Sequence, residues 1–177
     1  MTEITPVALA DMLAASRQFA LREAIVGRLA TLFPGVQVKG HPGKIDISDV
    51  VAQDIFTTPS INVAIVRSKN DPRLSSADDI EVSIAAYVVV EDMEIGGRLA
   101  TRDEIGPAIC EALMLYVSQP DASGQFGLTD IGLPDDVQSH PLFTSKSFAK
   151  GAAFYAVTWK QEIFAVGEPL FQGGDDV

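Results

Sequence analysis

This 177-residue chain holds only one cysteine, one tryptophan and two histidines, residue types that often serve in disulfides, aromatic stacks and metal sites. Cys110 has no second cysteine with which to close an internal disulfide, a pattern that fits a reducing cytoplasm. Long apolar runs are missing too. The longest, Ile84 to Val90, has the length of a strand and falls well short of the roughly 18 residues a membrane-crossing helix needs. The opening residues Met1-Thr2-Glu3-Ile4 contain neither a basic nor an apolar segment, so no secretory signal is read there. Basic residues are scarce: 13 Lys and Arg face 24 Asp and Glu, for a formal charge of −11. The deficit is uneven, since residues 1–44 carry five basic and three acidic side chains while the rest carries eight and 21. Such a surface repels phosphate backbones, because nucleic-acid affinity comes largely from cations that displace counterions. Gripping DNA is therefore a poor reading; letting DNA slide past without sticking is compatible with it.

What is present suits one folded domain. The length matches the usual domain size, and a hydrophobic content of 47% argues against disorder of the whole chain. Thr5-Pro6 has the form of an N-cap followed by proline at the first helical position. From there to Phe33 the chain is rich in Ala and Leu. Leu21, Ile25, Leu29 and Leu32 recur at helical spacing and predict one apolar stripe, with Arg17, Arg22, Glu23 and Arg28 in solvent. Residues 6–16 either continue this helix or form a separate short one, and Pro34-Gly35 ends it. A second helix opens at the capping box Thr101-Arg102-Asp103-Glu104 and predicts a stripe of Ile105, Ile109, Leu113 and Tyr116. Pro107 lacks an amide donor, so the helix either kinks there or starts there.

Strands are predicted by alternation. Val36 and Val38 suggest a short one, and Ser60 to Arg67 places Ile61, Val63 and Ile65 on one face. Ile80 to Val90 has an apolar even face, and an odd face that turns apolar at Tyr87 and Val89, as in a strand whose second half is buried on both sides. Ala153 to Phe164 sets Ala153, Tyr155, Val157, Trp159 and Ile163 against Thr158, Lys160 and Glu162. Phe126 to Ile131 suggests a further strand, and Leu133 to Lys150 reads as loop. Ser68 to Asp79 reads as a long polar loop, and loops of that length inside a compact domain are usually functional or disordered. Helix, strands, helix, strands in that order predicts an α+β fold: a single mixed or mostly antiparallel sheet with two main helices packed on it.

Chemistry is thinly represented. His41 and His140 each precede a proline in a predicted loop, without the spacing of a structural zinc site. Glu91-Asp92-Met93-Glu94 and Asp135-Asp136 read as solvated charge, since no calcium-loop spacing surrounds them. Gly96-Gly97 is read as a turn, and no phosphate loop or Gly-x-Ser-x-Gly turn occurs. Cys110 lies beside the second helix's stripe and is read as packing. Trp159 and Tyr155 are read as core or interface aromatics. No catalytic residue, cofactor or metal is assigned.

Four segments together resemble the tail-terminator proteins of tailed bacteriophages, in particular those of Mu-like phages and prophages. They are Leu21 to Leu29 leading into Phe33-Pro34-Gly35; Thr58 to Ile65; Ala85 to Val89; and Lys150 to Gln161, the most specific. The similarity covers most of residues 17–166. It implies a helix-strand-strand-helix-strand domain that forms a ring, usually a hexamer, which caps the tail tube and presents a surface for head attachment. It implies no catalytic residues. On this reading residues 1–16 are an N-terminal extension and 167–177 a flexible acidic arm. The protein is made in the host bacterial cytoplasm and ends in the virion tail. Its partners are copies of itself, the tail tube or sheath protein and neck proteins, with genome DNA passing transiently and no membrane involved. Lys69, Asp71 and Arg73 on the long loop, and Trp159, are the candidate interface residues. The acidity either eases DNA through the channel or merely serves solubility. Another head–tail connector or tail-completion subunit, and a small cytosolic enzyme or ligand-binding domain, are the competing readings.

Overall fold

The structure, a computed structural model, describes residues 6–45, 57–70, 79–119, 126–144 and 151–166. They form an α+β fold with a five-stranded, mainly antiparallel sheet. In chain order the elements are helices α1 (Leu9–Ala14) and α2 (Arg17–Leu32), then strands β1 (Gln37–Gly40), β2 (Ser60–Asn70), β3 (Ile80–Val90), β4 (Met93–Ile95) and β5 (Arg98–Ala100). Helix α3 (Arg102–Ser118) and strands β6 (Asp135–Thr144) and β7 (Ala153–Ile163) follow. The main sheet runs β1-β2-β3-β7-β6, and β4 and β5 form a separate hairpin. Among the described residues only the β1–β2 pairing is parallel. No helix among the described residues is long and apolar enough to cross a membrane.

The first helical stretch breaks in two. Ser16 takes an extended conformation and its hydroxyl accepts from the Phe19 amide, so α2 has its own N-cap. α1 begins only at Leu9, behind Ala8, so Pro6 lies ahead of the helix. Along α2, Leu21, Ile25 and Leu29 are fully buried at four-residue spacing, whereas Leu32, predicted in the same stripe, is exposed in the last turn. Arg17 is not simply solvated: its guanidinium donates to the carbonyls of Phe164 and Thr129 and staples the start of α2 to the chain flanking β7. Arg28 donates to the Tyr116 hydroxyl at 3.0 Å and joins α2 to α3.

Helix α3 starts at its capping box, where the Thr101 amide donates to the Glu104 carboxylate at 2.9 Å. It runs through Pro107 without starting there. The proline withholds a donor from the carbonyl of Asp103, which lies on an exposed part of the first turns where water can serve it. Its inward face is Ile105, Gly106, Cys110, Leu113 and Val117, so the helix is rotated from the predicted stripe and Ile109 and Tyr116 are only half-buried. Both helices cover one face of the sheet, over Ile61 and Val63, the even residues of β3, and Tyr155, Val157 and Trp159.

The opposite face is buried as well, at Ala64, Ala85, Tyr87 and Ala156, which confirms the reading of β3 as enclosed on both sides in its second half. Strand β2 has a bulge between Ile65 and Arg67. Before it, odd residues lie over the helix-covered face; after it, Arg67 pairs with Ser83 and is turned to the other side, which keeps a guanidinium out of the core.

Three predictions are corrected. β2 continues to Asn70, opposite Ile80, so Ser68 to Asn70 belong to a strand and residues 71–78 lie outside those described. Leu133–Lys150 is not all loop, because Asp135–Thr144 is an edge strand on β7 with two register shifts. An edge needs few apolar residues and tolerates Pro141 at an irregular position. Phe126–Ile131 is turn, with positive φ at Phe126, Gly127 and Asp130, and only Ile131 bridges to Ile163.

Candidate functional site

A cleft of about 560 Å³ lies between α2, α3 and the β4–β5 hairpin. One wall is the turn from α2 to β1, Phe33-Pro34-Gly35-Val36. That turn exists because Pro34 cannot continue the helix and Gly35 accepts a φ of 84°. The second wall is the outer flank of α3, where Ala108 and Ala112 leave room that larger side chains would fill. The third is the β4–β5 hairpin, with Met93, Ile95 and Arg98. Gly96 and Gly97, at φ 61° and 80°, make its tight turn, as the sequence predicts for this pair, although the flanking strands β4 and β5 are not legible in it. The lining is mostly apolar. At the mouth Arg98 and Glu104 pair at 3.2 Å. The Thr101 amide, and then Arg98, hold the Glu104 carboxyl below its ordinary range.

A second apolar surface lies at the other end of α2. None of the residues of α1 is buried. Leu9, Met12 and Leu13 follow the i, i+3, i+4 pattern of one helix face and are 70%, 47% and 69% exposed. Phe19, at the start of α2, is exposed beside Arg22, whose guanidinium sits 4.8 Å over its ring. Single exposed leucines are ordinary on protein surfaces, but a stripe of three on a helix with no buried side is not.

No protein-family model matches this chain, and no curated protein does.

Of the four residues predicted for an interface, two, Lys69 and Trp159, fall among the described residues. Lys69 lies near the end of β2 opposite Glu81, and Asp71 and Arg73 fall outside the described residues. Trp159 is 1% exposed within a single chain, its indole N–H donating to Gln161 at 2.9 Å and Gln161 in turn to the Gly132 carbonyl. It is a core residue, with no surface left to offer a partner. His41 follows β1 and His140 sits on β6, at opposite edges of the five-stranded sheet. Four strand spacings, about 19 Å, separate those edges, too far for one metal ion. Among the described residues no group of three His, Cys, Asp or Glu is placed to hold a metal.

Several polar groups singled out in the sequence act in the fold. Glu91 accepts from the Thr58 hydroxyl at 3.1 Å, and Asp92 accepts from the amide of Arg102 at the start of α3 at 2.8 Å. Asp136 pairs with Lys160 across β6 and β7. Cys110 is buried and its thiol is pushed above its ordinary range by desolvation, which disfavours the nucleophilic thiolate. The two apolar surfaces themselves went unrecognised in the sequence. The spacing of Leu9, Met12 and Leu13 was a usable signal for one; the cleft had none, because its walls come from segments about 60 residues apart.

Proposed function

We propose that this chain is a structural subunit of a phage tail, a tail-terminator-like protein that forms a ring, six-membered in the family it resembles, capping the tail tube and joining tail to head and neck. It is not an enzyme on this reading, needs no cofactor, and belongs to the virion. Support comes from the four segments of resemblance and, on the structure, from one observation: helix α1 presents Leu9, Met12 and Leu13 to solvent while burying nothing. A six-residue helix is too short to persist in water on its own propensity and gains its stability from packing, so a partner surface is implied.

A second reading, a small ligand-binding domain, draws on the apolar cleft, whose volume of about 560 Å³ is that of a small-molecule site. Measuring the mass of the purified full chain in solution, with negative-stain images, separates the two. The structural reading expects closed rings of several subunits. A protein that stays monomeric at micromolar concentration and takes a small apolar compound into the cleft belongs to the second class instead.

A further inference from the structure

We draw no further inference here: the strongest candidate, the bare Leu9–Met12–Leu13 face of helix α1 together with the apolar cleft between α2, α3 and the β4–β5 hairpin, is unpartnered apolar surface, and nothing in the structure shows what covers it.

Discussion

A methyl group added at Gly106 tests how closely α3 lies on the sheet. Gly106 is buried on the inward face of the helix, and a Cβ built there falls 2.1 Å from Cε2 and 2.6 Å from Cδ2 of the Tyr155 ring. Carbon atoms in ordinary contact stand about 3.5–4.0 Å apart, so either the ring or the helix has to withdraw by more than about 1 Å. The ring is rigid and sits on β7 between its neighbours in the core, and withdrawing the helix loosens Ile105, Cys110, Leu113 and Val117 together. Overpacking of this kind costs about 1–3 kcal/mol, and the size of the overlap places Gly106→Ala near the upper end. Against it, alanine is the better helix former by about 1 kcal/mol. The net expectation is a loss of about 2 kcal/mol. For a domain of this size that lowers Tm by about 4–8 °C, measured at one fixed protein concentration because the proposed self-association would add to stability. The same substitution in a Tyr155→Ala background has no ring to meet. There the helix-propensity gain is unopposed and the sign reverses, to a stabilisation of up to about 1 kcal/mol over Tyr155→Ala alone. Equal effects of Gly106→Ala in both backgrounds, or a stabilised single variant, would refute this account of the helix–sheet contact.

Three further outcomes are expected. Trp159→Ala removes a fully buried indole and the donor to Gln161, and is expected to cost about 3–5 kcal/mol in urea unfolding; unchanged melting would mean the ring is not in the core. Burial pushes up Cys110 from about 9.0, and Tyr87 and Tyr155 from 10.0, so the folded chain holds their neutral forms after the unfolded chain has ionised. Their contribution is whole below those ordinary values and is lost as pH rises above them, so Tm is expected to hold near neutrality and fall above about pH 9, less steeply in Tyr87→Phe; a flat alkaline profile contradicts it. On the proposed tail-terminator reading, replacing residues 71–78 with a short Gly-containing turn, keeping Asp79 because its carboxylate accepts from the Ala165 amide at 3.0 Å, is expected to leave subunits that fold and assemble but fail to join tails to heads. Normal head joining in a complementation assay would remove any partner role from that segment.

The strands that carry most of the sheet were readable from local pattern alone. β3 is apolar at every even position and β7 at every odd position but Gln161, and such a face survives folding because side-chain direction in a strand has a period of two. The capping box at Thr101 and Glu104, the stop at Pro34-Gly35 and the turn at Gly96-Gly97 were equally legible, since each depends on groups within a few residues of one another. These suffice for the α+β class.

What escaped the sequence depends on contacts between distant segments. β6 has little alternation because an edge strand is held by hydrogen bonds to β7 more than by an apolar face, and the neighbour cannot be seen from Asp135–Thr144 alone. The bulge in β2 reverses the facing of Arg67 through its register with β3, which no window on β2 reveals. Gly106 drew no reading of its own in the sequence, and only Tyr155, 49 positions away, makes it a requirement of close packing. Trp159 could be placed on a face by periodicity but not assigned to core over interface, because that choice is made by how the helices lie on β7. The cleft and the bare stripe of α1 belong to the same class of facts. Periodicity tells a residue which side of its own element it is on, and the packing of elements settles whether that side meets protein or water.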